Sequence, residues 1–269
     1  MKAPHLQIET INRCNAKCTF CLVPNMANKR SAMTDELFTR ILFDAKDYGV
    51  KKIIPFLNGE PLLDPKFVQR IVEINTILPD AEVVFYSNGS LLSEEKAKEL
   101  AKTKITVANF SINAVTNDAR MKIMGVNLHD TIKNILYFKS LCPNVSINVS
   151  AIMGTTYWTP PEMQEFIAFW TKLGIKPNLF FEGNWAGKTR PVIHVSDVGC
   201  ERPNDIMTIL ADGTVALCCY DLDGEVNFGN LNTQTIKEVW ESEAMEHYRS
   251  LNDSGKRSEL KMCQSCTTG

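Results

Sequence analysis

Between residue 6 and about residue 182, short apolar runs alternate with longer segments in which apolar residues recur every three or four positions. The runs contain adjacent apolar residues, which indicates strands buried on both faces, as in a parallel sheet. This alternation restricts the possible folds more than any other feature of the chain. Six strands are predicted, at Leu6–Thr10, Lys52–Leu57, Glu82–Ser87, Ile105–Ile112, Val145–Ile152 and Asn178–Glu182.

The segments between these strands predict helices. Thr34 is a suitable N-cap for the first helix and Gly49 a suitable stop. Further helices are expected at Pro65–Leu78, Glu94–Lys102, Asp130–Leu141 and Pro160–Leu173. Alternating strands and helices imply right-handed crossovers, and six such units fall short of the eight in a closed barrel. We therefore predict an α/β fold, an open partial (β/α)6 barrel of parallel strands with its ligands at their carboxyl ends.

The pattern changes after Glu182. A connector at 183–199 leads to a predicted hairpin, in which Ile206–Leu210 and Thr214–Cys218 flank the turn residues Asp212-Gly213. One helix is expected at about Thr235–Arg249. The sequence thus predicts two parts, a barrel at 1–183 and a small hairpin-and-helix domain at 184–269.

Composition excludes several classes of protein. A formal net charge of -2 argues against a general nucleic-acid binder. Apolar runs stay below the roughly 18 residues of a membrane span. The first residues also lack the apolar core of a secretory signal. We expect a cytoplasmic protein without membrane or nucleic-acid partners.

Cysteines are concentrated near the two ends of the chain. Their number is odd and disulfides are rare in the cytosol, so metal or cluster ligation is favoured. Three of them lie just after the first predicted strand, where three thiolates can hold three irons of a [4Fe–4S] cluster and leave one iron open. Structural zinc would want a fourth ligand, and none is local. The nine cysteines are Cys14, Cys18, Cys21, Cys142, Cys200, Cys218, Cys219, Cys263 and Cys266.

The spacing of Cys14, Cys18 and Cys21, with Phe20 before the last cysteine, resembles the signature of the radical S-adenosylmethionine superfamily. Asn58-Gly59-Glu60-Pro61 resembles the family's Gly-Gly-Glu-Pro motif, with Asn58 in place of the first glycine. Ser87-Asn88-Gly89 and Ser111-Ile112-Asn113 resemble two further strand-end segments of the family. The resemblance implies that these three cysteines hold the catalytic cluster. It also implies that S-adenosylmethionine contacts Phe20, Asn58, Gly59, Glu60, Pro61, Ser87, Asn88, Ser111, Asn113 and, more weakly, Ser150.

The C-terminal cysteines resemble the compact "twitch" form of the family's auxiliary-cluster (SPASM) domain. That resemblance implies a second [4Fe–4S] cluster, held by Cys200, Cys218, Cys263 and Cys266. Cys219 competes with its neighbour Cys218 for this role, and a zinc site with the same thiolates is the structural alternative.

The resemblance further implies reductive cleavage of S-adenosylmethionine to a 5′-deoxyadenosyl radical, which takes a hydrogen atom from a small molecule or peptide. We expect a dehydrogenase-like two-electron oxidation, with flavodoxin or ferredoxin as electron donor. With only 13 residues before Cys14, a leader-binding domain for peptides is not expected. Radical epimerisation, peptide cross-linking and a non-enzymatic zinc protein are the alternatives. Candidates for the substrate pocket are Tyr157, Trp158, Glu182, Trp185 and Arg190.

Overall fold

The computed structural model describes residues 2–26, 32–153, 158–190 and 199–267. Within these ranges nine strands form one sheet, in the order β6-β5-β4-β3-β2-β1-β7-β8-β9. The first six strands run parallel in chain order, and β7 pairs in parallel with β1. The strands are β1 His5–Ile8, β2 Lys52–Ile54, β3 Glu82–Ser87, β4 Val107–Ser111, β5 Ser146–Met153, β6 Lys176–Phe181, β7 Ile206–Ile209, β8 Thr214–Ala216 and β9 Asn227–Asn230.

Helices connect the parallel strands and cover the sheet. The Thr34 hydroxyl accepts a hydrogen bond from the Leu37 amide at 3.2 Å, and Gly49 ends the first helix in the left-handed region at φ 83°. The open partial barrel predicted from the sequence is confirmed. The helices are α1 Asp35–Tyr48, α2 Phe67–Ile77, α3 Glu94–Leu100, α4 Asn117–Met124, α5 Leu128–Leu141, α6 Pro160–Lys172, α7 Arg202–Asp205, α8 Ile236–Trp240 and α9 Glu243–Asp253.

A row of aromatic rings forms the centre of the core. Phe67 of α2 lies 5.2 Å from Phe85 of β3, which lies 5.9 Å from Phe110 of β4. Phe110 in turn lies 6.3 Å from Phe138 of α5. Such ring pairs add to the stabilisation from apolar burial. The row therefore holds α2 and α5 against β3 and β4, and it helps to set the positions of the ends of these two strands.

The C-terminal helix differs from the prediction. The segment expected as one helix, Thr235–Arg249, is divided into α8 and α9. The Ser242 hydroxyl accepts a hydrogen bond from the Met245 amide at 3.3 Å and caps a new helix. Trp240 and Met245, the buried apolar residues on either side of the break, are five positions apart, and both lie in the segment that the sequence predicts as one helix.

Three elements were missed, namely helix α4, strand β9 and the four-residue helix α7. Helix α4 is short and mainly polar, although Thr116 caps its start and Gly125 ends it at φ 70°. Strand β9 pairs antiparallel with β8 and extends the predicted hairpin. No helix within the described ranges has the length and apolarity to cross a membrane.

A buried ion pair holds the connection between β2 and α2. Nε of Arg70 lies 2.8 Å from a carboxylate oxygen of Asp64, and both residues are 2% exposed. The same guanidinium donates to the carbonyl of Met33 at 2.6 Å and lies over the Phe38 ring at 4.8 Å. Removing Arg70 would leave the Asp64 carboxylate buried without its cation, and removing Asp64 would leave Arg70 only the longer contact with Asp35, at 3.6 Å.

Arg70→Leu or Asp64→Ala alone is expected to lower the free energy of unfolding by about 3–5 kcal/mol. The double variant is expected to lose clearly less free energy of unfolding than the sum of the two single losses, because neither charge of the pair remains. Guanidinium unfolding followed by circular dichroism measures both. Val72→Ala is the control on the same helix, since Val72 is 50% exposed. Strictly additive losses in the double variant would contradict this account.

Candidate functional site

The cysteine loop (residues 14–21) follows β1 at the carboxyl edge of the sheet. Cys14, Cys18 and Cys21 lie on or at the end of this loop, and all three thiols are free of disulfide bonds. The Lys17 amide donates to the Met124 carbonyl at 2.8 Å, which ties the loop to the end of α4. The three cysteines thus lie at the edge where the fold gathers its functional groups.

The three thiols act on one another electrostatically. Desolvation, together with the neighbouring Cys21 and Cys14 thiols, raises the pKa of Cys18 to about 12. Desolvation also raises the pKa of Cys21. Such thiols keep their protons until a metal displaces them, and thiolate is the ligand that iron–sulfur clusters take from proteins. The three thiols are therefore suitable ligands for a cluster. Among the described residues, no three His, Cys, Asp or Glu side chains are placed to hold a single metal ion.

The turn after β2 lies against the segment that leads into the cysteine loop. A Cβ atom at Gly59 would stand 2.5 Å from the carbonyl oxygen of Ile11 and 2.9 Å from that of Arg13. The Glu60 amide donates to the Arg13 carbonyl at 2.9 Å. Because only a glycine allows this approach without displacing backbone, the turn packs directly on the residues before Cys14.

The Glu60 carboxylate joins the ends of β2 and β3. It accepts hydrogen bonds from the Ser87 hydroxyl at 2.7 Å, the Asn88 amide at 2.7 Å and the Leu62 amide at 3.1 Å. Burial raises the pKa of Glu60, and these three hydrogen bonds oppose that rise. Pro61 begins a short 3₁₀-helical turn that carries the chain away from the edge.

Two asparagines complete this part of the edge. The Asn88 side-chain amide donates to Asn15, which lies between Cys14 and Cys18, at 2.9 Å. Asn58 is 3% exposed and its Nδ2 has no hydrogen-bond partner. A buried donor without a protein partner is one that a bound ligand can satisfy. The residues after β2 therefore fit a polar cofactor beside the cysteine loop.

The ends of β4 and β5 form the next part of the same edge. Ser111 and Ser150 are partners in the β4–β5 ladder, and both are partly exposed. Asn113 adopts a left-handed conformation at φ 57°, and its side-chain oxygen accepts a hydrogen bond from the Ile152 amide at 2.7 Å. Its Nδ2 lies 3.4 Å from the sulfur of Met124. The Asn113 side chain thus holds β4, β5 and α4 together.

Arg120 of α4 was missed in the sequence because α4 itself was missed. Its buried guanidinium donates to the carbonyls of Asn88 at 2.7 Å and Ser111 at 3.1 Å, so it joins the ends of β3 and β4. Burial lowers the pKa of Arg120 to about 10, and the nearby Cys18 and Glu60 oppose that fall. A positive charge therefore lies under the strand ends, close to the cysteine loop.

A cavity in the C-terminal part of the chain, called here the auxiliary cavity, is lined by cysteines. Cys219 is outside its lining, and the Cys219 sulfur instead accepts a hydrogen bond from the guanidinium of Arg202. Cys142, by contrast, is buried in the main core. The auxiliary cavity brings together the four cysteines that the family resemblance implied, Cys200, Cys218, Cys263 and Cys266.

One turn, Asn184–Gly187, contacts both cysteine regions. The indole nitrogen of Trp185 donates to the carbonyl of Phe20 in the cysteine loop at 2.9 Å. The Asn184 side chain donates to the carbonyl of Ser265, between the last two cysteines, at 2.8 Å. The turn is conformationally costly, since Trp185 and Ala186 have φ of 52° and 54°. Contacts on both sides hold it in place.

The same indole reaches the auxiliary cavity through a second ring. The rings of Trp185 and Tyr220 lie 5.1 Å apart, and Tyr220 lines the auxiliary cavity. The two cysteine regions are thus connected by a continuous set of contacts that runs through Trp185. Sequence reasoning named Trp185 only as a pocket candidate.

The other pocket candidates are dispersed. Trp158 is buried and packs against Phe166 at 5.5 Å, so it belongs to the core. Arg190 is exposed and donates to the carbonyl of Glu182 at 2.5 Å. Tyr157 lies outside the described residues.

Comparison with known proteins identifies two matching families. The model of the radical SAM superfamily matches residues 8–169, and that of the SPASM iron-sulfur cluster-binding domain matches residues 200–267. The second match favours an iron–sulfur cluster over zinc at the auxiliary cavity.

Relatives and solved structures agree with these matches. A tungsten-containing aldehyde ferredoxin oxidoreductase cofactor-modifying protein of Pyrococcus furiosus is 29% identical over 45% of this chain, but over only 34% of its own length. The S-adenosyl-L-methionine-dependent 2-deoxy-scyllo-inosamine dehydrogenase of Niallia circulans is 22% identical over 97% of this chain and 91% of its own. The crystal structure of BtrN with AdoMet and 2-DOIA superposes with a TM-score of 0.72 at 16% identity, covering 100% of this chain and 94% of that one.

The superfamily model covers more than half of the chain and includes the cysteine loop and the strand ends around it. The same fold is found in the BtrN structure. The chain therefore belongs to the radical S-adenosylmethionine superfamily, and it is an enzyme that uses S-adenosylmethionine and [4Fe–4S] clusters.

Proposed function

We propose that this enzyme oxidises a small molecule by two electrons, removing two hydrogens from an alcohol or alkyl carbon. The observation that carries this proposal is the match over 97% of the chain to a dehydrogenase, since it extends from the barrel through the C-terminal cysteine region. An inosamine or a similar amino alcohol is the first substrate to test. Flavodoxin or ferredoxin is the proposed electron donor.

Cys14, Cys18 and Cys21 would hold the catalytic cluster. When bound, that cluster and S-adenosylmethionine together supply the hydrogen-abstracting chemistry of the superfamily. The proposed cofactor contacts come from the surrounding strand ends. They are Phe20, Asn58, Gly59, Glu60, Pro61, Ser87, Asn88, Ser111, Asn113 and Ser150.

These residues divide by what their side chains already bind. The Glu60 carboxylate accepts three hydrogen bonds from the protein and would mainly position the backbone around it. The side-chain nitrogen Nδ2 of Asn58 has no protein partner, so its N–H is available to an acceptor such as the cofactor's carboxylate. Arg120 would position the ends of β3 and β4 through their carbonyls.

The auxiliary cavity would hold a second cluster on Cys200, Cys218, Cys263 and Cys266. Oxidation removes one hydrogen as an atom and the other as a proton and an electron. That electron requires an acceptor, and a cluster fully ligated by protein suits this role because its irons need not bind substrate.

Replacing Cys14, Cys18 and Cys21 together with Ala is expected to abolish formation of 5′-deoxyadenosine from S-adenosylmethionine. The reason is that no cluster can then assemble at the cysteine loop. The assay is anaerobic reconstitution with dithionite, followed by chromatography of the nucleoside. Cys142→Ala is the matched control and keeps the activity, since Cys142 lies in the core. Undiminished product from the triple variant would refute the assignment.

Product analysis tests the reaction itself. With 2-deoxy-scyllo-inosamine or a related amino alcohol, we expect a product lighter by two hydrogens, and deuterium moved from the oxidised carbon into 5′-deoxyadenosine. Mass spectrometry of both products gives the answer. An unchanged product mass with deuterium uptake from heavy water would instead establish epimerisation. Turnover of a peptide alone would establish the maturase alternative.

Cys218→Ala is expected to lose the auxiliary cluster, about four irons per chain, whereas Cys219→Ala keeps it. The difference is expected because Cys218 lines the auxiliary cavity and Cys219 does not. Iron and sulfide analysis after anaerobic reconstitution measures the loss. Equal iron in the Cys218→Ala variant and the parent would show that Cys218 is not a ligand.

A further inference from the structure

Two arginines line the auxiliary cavity beside its four cysteines. Arg202 begins α7 just after Cys200, and Arg257 lies in a short 3₁₀-helical turn before Cys263. Arg257 is 1% exposed and Arg202 is partly buried. Two positive charges therefore face a group of thiols from inside the protein, where water screens them little.

Arg202 is held firmly in the cavity wall. Its guanidinium donates a hydrogen bond to the sulfur of Cys219 and lies over the ring of Tyr220, 5.0 Å from the ring centroid. Cys219 itself lies outside the lining of the cavity. The sequence left the role of Cys219 open. In the structure, its sulfur orients the Arg202 guanidinium.

Both arginines line the same cavity as the four cysteines. Each guanidinium is therefore placed to act on the charge of a group held there.

We propose that Arg202 and Arg257 raise the reduction potential of the auxiliary cluster, so that this site accepts the electron released during substrate oxidation. A cluster on four thiolates is negatively charged and becomes one charge more negative when reduced. Nearby positive charge stabilises the reduced form more than the oxidised form. The source of the electron rests on the proposed function; the effect of the two arginines on the potential does not.

The electrons balance for an alcohol substrate. After one hydrogen atom has left the carbon, the hydroxyl proton passes to water and the C=O double bond forms. One electron remains, and it reduces the auxiliary cluster by one unit. A higher potential at the auxiliary site makes this last transfer more favourable.

The test is a potentiometric titration of the full chain, followed by electron paramagnetic resonance. Cys14, Cys18 and Cys21 are first replaced with Ala, so that only the auxiliary cluster contributes a signal. Arg202→Gln and Arg257→Gln are each expected to lower the ratio of reduced to oxidised cluster at least tenfold at a fixed potential. For a one-electron couple this corresponds to about 59 mV.

Two kinds of control isolate the charge. Arg202→Lys and Arg257→Lys keep the charge and are expected to stay closer to the parent potential than the Gln variants. Lys261→Gln removes a positive charge from an exposed residue near Cys263, where water screens it, and should leave the potential unchanged.

Gln variants with the parent potential, or Lys variants that shift as far as the Gln variants, would overturn the proposal. Loss of iron from the Gln variants alone would also overturn it, because the charges would then hold the cluster rather than set its potential. Since this titration uses no substrate, its outcome is independent of the product analysis that tests the oxidation.

Discussion

The carboxyl edge of the sheet depends on one close backbone contact. Without a side chain, Gly59 lets the turn after β2 reach the carbonyls of Ile11 and Arg13, just before the cysteine loop. That contact places Glu60 where its carboxylate can bind the end of β3 through Ser87. Loop, turn and strand are thus held together by the protein alone, and such preorganisation lowers the cost of binding a cofactor.

Arginines serve different purposes in the two cysteine regions. Near the cysteine loop, Arg120 donates to backbone carbonyls and holds strand ends in place. In the auxiliary cavity, Arg202 and Arg257 face the thiols themselves. A guanidinium committed to carbonyls acts mainly on geometry, whereas one that faces thiolates acts mainly on the energy of their charge.

The parts of this structure that sequence could predict are those encoded locally. The caps at Thr34 and Gly49 and the apolar strand runs lie within a few residues of the elements they define. Because the cysteine loop follows the first predicted strand, its position at the carboxyl edge of the sheet could also be predicted. The break at Ser242 was missed because apolar residues occur on both sides of it, although the step from Trp240 to Met245 is five residues. The contact of Trp185 with Phe20 could not be predicted, because the two residues are 165 positions apart in the sequence and only the folded chain brings them together.

The turn at Asn184–Gly187 contacts both cysteine regions, Phe20 on one side and Ser265 on the other. Its indole also reaches Tyr220. A hybrid enzyme made by grafting the C-terminal region of one relative onto the barrel of another would inherit this turn from only one parent. A graft that takes the C-terminal region of this chain needs a junction upstream of Asn184 and a recipient loop that can accept the Trp185 indole as Phe20 does.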